Sequence, residues 1–277
     1  MKYYYHVFIL INQPAKNDFQ LKNVFLHIEP NIMIMKKVVL FLYQLFIFAP
    51  IFVLATIITA VTVMIGCLIG NRNFWGYYPP RLWGKLACRL ALCRIKVVRH
   101  ANLDPDKSYV FVPNHQSAYD IFLIYGYLNQ NIKWVQKQEL RKIPFVGKAS
   151  EIAGHVFVDQ SNLKSMKDTI AKAEAQLGEG ASMVIFPEGA RTKTGKMGRF
   201  KRGAFIIAKE MNLPVVPVTV NGPYDLMKMK TYLINPCTLE LIVHEPVSTA
   251  EVTDENMPEF INDCRETVYS GLWDKYK

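Results

Sequence analysis

The chain has 277 residues, enough for one domain of ordinary size behind a membrane segment, and its 33 Lys+Arg against 23 Asp+Glu leave a formal charge of +10. That excess suits a phosphate-rich partner, whether nucleic acid, an anionic membrane surface or a phosphorylated substrate, and charge alone does not choose among them. Cys67, Cys88, Cys93, Cys237 and Cys264 are odd in number, include no C-x-x-C and have no metal-ligand spacing with a histidine, which favours a reduced, cytosol-facing domain.

Residues 1–34 have mixed polarity and no sustained period, and we expect an N-terminal extension there, upstream of a start at Met33 or Met35. From Val38 to Asn71 there is no charged residue. At about 1.5 Å per residue such a run reaches about 50 Å, more than a hydrocarbon core of about 30 Å demands. Pro50 removes a helical hydrogen bond and divides the run, so two topologies are open: Ile51 to Ile69 spans alone, or two half-helices enter one leaflet and return. Lys36 and Lys37 on one side and Arg72, Arg81 and Lys85 on the other leave no clear positive-inside gradient and favour the hairpin. A signal peptide does not fit, because the apolar run starts too late, is too long and is followed by no small-residue cleavage site. Residues 35–71 are therefore expected to be a membrane anchor and residues 72–277 a single catalytic domain.

Pro80 to Cys93 reads as a basic amphipathic helix, with Leu82, Leu86, Leu90 and Leu92 on one face and Arg81, Lys85 and Arg89 opposing them. It suits either a membrane surface or ordinary packing. Short apolar runs at Tyr109–Val112, Ile132–Val135, Val156–Val158, Met183–Phe186, Val215–Val220 and Leu239–Val243 are predicted strands. Between them Leu163, Met166, Ile170, Ala173 and Leu177 recur at helical spacing before Gly178 and Gly180, and Pro258 to Trp273 predicts a last helix with Phe260, Ile261, Cys264, Val268 and Leu272 on one side. The alternation gives an α/β fold: a mixed, largely buried sheet flanked by helices, preceded by an N-terminal membrane helix or re-entrant helix pair.

Three segments carry candidate chemistry. His115 and Asp120 lie in Pro-Asn-His-Gln-Ser-Ala-Tyr-Asp, between a predicted strand and an apolar helix, where a loop plus one helical turn can return the carboxylate to the imidazole. Alone, the pair reads equally as a histidine capping a helix. Phe186-Pro187-Glu188-Gly189-Ala190-Arg191 follows another strand. Gly189 permits a tight turn there, and Arg191 offers a planar fork for phosphate, unless the cluster is only a solvated basic loop. Gly189 to Gly195-Lys196 resembles a P-loop but has one residue too many and Met197 where Ser or Thr should stand, so nucleotide hydrolysis is not indicated. Lys137 to Gly147 reads as a short helix running into a turn at Pro144.

Taken in order, Asn114-His115-x4-Asp120, Lys137-x-Glu139-Leu140-x-x-Ile143-Pro144-Phe145-x-Gly147, Phe186-Pro187-Glu188-Gly189-x-Arg191 and Val216-Pro217-Val218 resemble the glycerolipid acyltransferase family that includes 1-acylglycerol-3-phosphate acyltransferases. The resemblance implies a membrane enzyme acylating a lysophospholipid from acyl-CoA or acyl-carrier protein on the cytoplasmic face. His115 is then the general base and Asp120 its orienting partner, and Asn114, Lys137, Glu188, Gly189, Arg191, Lys201 and Arg202 form the substrate site. No metal or cofactor is implied. Two positions depart from the pattern, Ala190 for the usual threonine and Gln160 for a frequent arginine, and both bear on the acceptor headgroup. Other acceptors (glycerol-3-phosphate, another lysophospholipid, an acylated amino-acid lipid) therefore stay open. A non-catalytic protein binding anionic lipid through Arg81, Lys85, Arg191, Lys201 and Arg202 is the rival of a different class. A nucleic-acid binder fits poorly, because the cations are not interleaved with exposed aromatics.

Overall fold

A computed structural model describes residues 34–158, 171 and 180–277. The expected helix at Leu163–Leu177, the departure at Gln160 and the N-terminal extension lie outside the described residues. Among those described, one helix is long and apolar enough to cross a membrane, α1, Ile34–Ile69. Pro50 does not interrupt it. A five-residue π-helical turn, Gln44–Phe48, precedes the proline, and the Ala49 N–H reaches back to the Gln44 carbonyl, which rearranges the ladder just where the proline ring needs room. The described residues divide into two compact units at this point, 34–50 and those from Ile51 onward.

In the second unit the end of α1 rests on protein. Ala60 and Val63 are buried with Ala149 and Ala153, Trp83 Nε1 donates to Thr56 Oγ1 at 2.9 Å, and Phe52 stacks on Trp83. Helix α2, Tyr78–Leu90, begins with prolines in its first turn, where missing N–H groups cost nothing. Its buried face is Pro80, Gly84, Ala87 and Cys88, whereas Leu82 stays 66% exposed. The leucine stripe is thus not the packing face. A Cβ at Gly84 would stand 2.6 Å from the Phe122 carbonyl, so α2 approaches its neighbour helix backbone to backbone, and only small residues allow that.

The sheet has seven strands: β1 Arg94–Arg99, β2 Val110–Pro113, β3 Ile132–Lys137, β4 Val156–Val158, β5 Ser182–Val184, β6 Val215–Asn221 and β7 Thr238–Val243. Their order is β1-β7-β6-β2-β5-β3-β4, and every pairing is parallel except β6 with β7. This is the expected mixed sheet, with β1 added at one edge. Strands β2, β5 and β6 are buried along their whole lengths, as the continuous apolar runs require when both faces are covered. Helix α3, Tyr119–Tyr127, follows β2; α4, Val146–Ile152, leads into β4; and α5, Gly203–Glu210, precedes β6. The closing helix α6, Met257–Ser270, buries Met257, Ile261, Cys264 and Val268, close to the predicted face. Ala204, Phe205, Ile207 and Ala208 of α5 join it in one core with β2, β5 and β6.

Candidate active site

The site grows from the end of β2, a central strand flanked by β5 and β6. Directly after it, Asn114 is 1% exposed and bonded twice to Val220 of β6: its Nδ2 donates to the carbonyl at 2.9 Å and its Oδ1 accepts from the N–H at 2.7 Å. That clamp fixes the direction in which the chain leaves the sheet. Four residues after His115 the chain enters α3, and Asp120 falls in its first turn, fully buried. Asp120 Oδ2 accepts from His115 Nδ1 at 2.7 Å, from the Gln116 N–H at 2.6 Å and from the Ser117 N–H at 3.0 Å. A carboxylate at the N-terminal end of a helix is favoured by the helix dipole as well as by these donors.

The histidine is held on three sides. Its ring stacks on Phe186 with centroids 3.7 Å apart, and Phe186 in turn stacks on Trp134 at 5.7 Å. Its backbone N–H donates to Glu188 Oε1 at 2.7 Å, and its carbonyl accepts from the Thr192 N–H at 2.9 Å. The loop carrying Glu188 and Arg191 is therefore bonded to the histidine from both ends. Glu188 Oε2 accepts from the Gly198 N–H at 2.7 Å. Burial pushes the Glu188 carboxyl above the usual carboxylate range, against the pull of those two N–H groups. Gly189 turns with φ +75°, and a Cβ there would meet Lys201 Nζ at 2.8 Å, so the ammonium lies directly against the turn.

The structure thus brings together His115, Asp120, Asn114, Glu188, Gly189 and Lys201. Both polar atoms of Asn114 and both oxygens of Glu188 are engaged by backbone groups, which makes these two residues the frame of the site. The side chains of Lys137 and Arg191 are exposed and, among the described residues, make no hydrogen bond or ion pair with protein. Arg202 is exposed too and lies near enough to Asp254 to help hold that carboxyl below the usual range, after Lys209. Ser117 Oγ donates to the Met227 carbonyl at 2.8 Å, so this hydroxyl is not poised as a nucleophile. No group of three or more candidate metal ligands occurs among the described residues.

Because Asp120 can only accept, it sets the proton on Nδ1 and leaves Nε2 with a lone pair. A histidine so held can take a proton from a hydroxyl and return it to a leaving group.

Residues 94–221 match the family model described as Acyltransferase. A 1-acyl-sn-glycerol-3-phosphate acyltransferase of Chlamydomonas reinhardtii is 27% identical over 248 residues, covering 88% of this chain and 72% of that protein. The chloroplastic 1-acyl-sn-glycerol-3-phosphate acyltransferase BAT2 of Brassica napus is 35% identical over 51% of this chain, which spans 41% of that longer protein. The crystal structure of the 1-acyl-sn-glycerophosphate (LPA) acyltransferase PlsC from Thermotoga maritima superposes with a TM-score of 0.71 at 27% identity, covering 86% of this chain and 95% of that one. The chain belongs to the acyltransferase family.

The acyltransferase fold accounts for elements that motif reading passed over. Trp134 comes from β3 and Phe186 from just after β5; the motif includes Phe186 without giving it a role, and no local spacing joins it to Trp134. Thr192, Gly198 and Met227 act through backbone atoms and leave no side-chain signal at all. Ala190 is exposed, in the same turn as Arg191.

Proposed function

We propose that this acyltransferase moves a fatty acyl group from acyl-CoA or acyl-carrier protein to the free hydroxyl of 1-acylglycerol-3-phosphate, giving phosphatidic acid. The observation that carries the reading is the 2.7 Å contact of His115 Nδ1 with the fully buried Asp120, in a loop tied through Glu188 and Thr192 to the Arg191 turn. His115 Nε2 takes the proton as the acceptor oxygen attacks the thioester carbonyl. The tetrahedral intermediate then collapses, the C–S bond breaks, and the imidazolium returns the proton to the departing thiolate. Asp120 stabilises the imidazolium while it exists. Arg191 and Lys201, with Lys137 as a further cation, bind the acceptor phosphate, and a charge-assisted bond of that kind contributes about 1.5–3 kcal/mol. Residues 35–71 act as the membrane anchor of a catalytic domain formed by residues 72–277, facing the cytoplasm.

The test is transfer of labelled acyl groups from both donors to lysophosphatidic acid, glycerol-3-phosphate and zwitterionic lysolipids, with His115→Ala as control. Product from lysophosphatidic acid that vanishes in the variant supports the reading. Transfer to another acceptor alone keeps the chemistry and moves the substrate, and transfer to none of them ends the enzymatic reading.

A further inference from the structure

The segment between β3 and α4 holds three large apolar side chains outward in six residues: Leu140 is 37% exposed, Ile143 43% and Phe145 47%. They are not on a loose loop. The Ile143 N–H bonds to the Leu140 carbonyl, the Val146 N–H to the Pro144 carbonyl at 2.7 Å and the Gly147 N–H to the Ile143 carbonyl at 2.9 Å. Gly147 lies so close to the preceding turn that a Cβ would stand 2.1 Å from the Arg141 carbonyl. At the tip, Phe145 adopts φ +61° and ψ −52°, a conformation that side-chain-bearing residues rarely take. Backbone strain of this sort persists where the surroundings impose it, and here it presents a phenyl ring to the outside.

Two further observations say what covers the tip. Lys137, Arg141, Lys142 and Lys148 flank it in the sequence and are exposed, with Glu139 the one acid between Lys137 and Lys148. Glu151 fixes Arg141 at 2.8 Å and Lys148 at 3.1 Å, and Lys137 and Lys142 remain exposed. Helix α4, about 10 Å long at 1.5 Å per residue, joins the tip to the apolar helix. Its Ala149, with Ala153 just after it, is buried against Ala60 and Val63 of α1, and Arg72 Nε donates to the Ile152 carbonyl at 2.7 Å. The tip is therefore continuous with the most apolar element of the chain, and it combines aromatic and aliphatic groups with cations in the manner of a membrane-interface segment.

We propose that Leu140, Ile143 and Phe145 form a second membrane contact, a rigid wedge entering the headgroup–acyl boundary of an anionic bilayer, with Lys142 against the lipid phosphates. The wedge rests on the part of the proposed function that places α1 in a membrane and is independent of the reaction. It fixes the tilt of the catalytic domain on the surface, which one apolar helix alone leaves free.

The experiment places a photoreactive benzophenone amino acid at Phe145, Ile143, Phe46 or Glu255 in the full chain, reconstituted into vesicles of labelled phosphatidylglycerol and phosphatidylethanolamine. Crosslinking to lipid at 143 and 145 is expected several-fold above that at the exposed acid Glu255, and weaker in purely zwitterionic vesicles. Lipid adducts at Phe46 on α1 with none at 143 or 145 overturn the wedge and leave the anchor standing. No adducts at any of these positions overturn both, and adducts to protein at 143 and 145 overturn the wedge in favour of a protein partner. Phe145→Gly, which relaxes the strained backbone, is expected to leave Tm unchanged or raised while lowering lipid crosslinking at Ile143. A Tm lowered by several degrees would show that the ring serves the fold instead.

Discussion

Asparagine in place of Asp120 keeps the volume and one oxygen acceptor but removes the charge on which three donors converge, His115 Nδ1 at 2.7 Å and the Gln116 and Ser117 N–H groups at 2.6 and 3.0 Å. Transfer creates an imidazolium whose Nδ1–H faces that charge. A hydrogen bond to a charged group contributes about 1.5–3 kcal/mol, and about 1.4 kcal/mol is a factor of ten in rate, so this loss alone slows transfer by about 10- to 150-fold. The amide NH₂ can also turn toward Nδ1, which drives the ring proton to Nε2 and removes the base. With both effects, kcat should fall by about 10² to 10⁴ while KM for the acceptor holds. Stability should fall by about 1–3 kcal/mol, because either way round the amide leaves a buried donor unpaired: its NH₂ at the partnerless Oδ1 position, or the Gln116 and Ser117 N–H groups facing it. Asp120→Ala should cost more, since it strands those two N–H donors at about 1–3 kcal/mol each and also leaves the volume empty. Initial rates with labelled acyl-CoA and lysophosphatidic acid in mixed micelles, with thermal unfolding in the same detergent, separate the two quantities. An Asp120→Asn enzyme whose kcat, measured well below its own Tm, stays within a few-fold of the parent would refute the assignment of Asp120 as the orienting partner.

Arg191→Ala should raise KM for lysophosphatidic acid by about 10- to 150-fold, the equivalent of about 1.5–3 kcal/mol, with kcat far less affected. An equal loss with a zwitterionic lysolipid would sink its role as phosphate ligand. Glu188→Gln leaves one acceptor oxygen for the His115 and Gly198 N–H groups and should cost about 1–3 kcal/mol of stability, read as a lower Tm, together with kcat. An unchanged Tm would show that the frame does not depend on this carboxylate. Burial holds His155 down to about 3 in the folded chain, with its ring bonded to Tyr125 and to the Trp134 N–H. The unfolded chain then binds the extra proton below the ordinary histidine value of about 6.5, so stability is complete above it and falls by about 1.4 kcal/mol per pH unit toward the folded value. His244, held down to about 4, adds to the same slope. A Tm flat from neutral pH into the acid range would contradict this. Gly84→Val should destabilise strongly, because its Cβ meets the Phe122 carbonyl at 2.6 Å, and the surviving folded fraction should keep its KM.

What the sequence made legible follows from how locally each feature is encoded. Strands buried on both faces read as unbroken apolar runs, so β2, β5 and β6 stood out. The edge strand β1, Arg-Ile-Lys-Val-Val-Arg, turns its three cations to solvent and only partly buries its apolar residues, so it has no unbroken apolar run and did not stand out. In α2 the leucines do not mark the protein-packing face, since the close approach to Phe122 and Gly126 selects small residues for the contact and leaves Leu82 outside. Pro217 looks wrong for an interior strand, because proline cannot donate to the ladder. Yet the His244 N–H donates to its carbonyl at 3.1 Å just beyond the last β6–β7 register pair, Val218 with Val243, so the side on which its N–H is missing faces the frayed end of the ladder.

The site divides the same way. His115 and Asp120 are five residues apart on one strand–loop–helix turn, and a linear motif captures them because the whole geometry is local. Their support is not local. Val220 holds Asn114, Glu188 and Thr192 grip the histidine backbone from more than seventy residues away, and Phe186 and Trp134 fix the ring from two other strands. Backbone donors can come from almost any residue type, so such partners are set by topology and leave no compositional trace. The reaction type is accordingly carried by the motif. The precision with which His115 meets its substrate is carried by the parallel sheet, which stacks the ends of β2, β3, β5 and β6 into one platform, and a substitution at Phe186 or Glu188 should lower kcat without touching either residue of the His115–Asp120 pair.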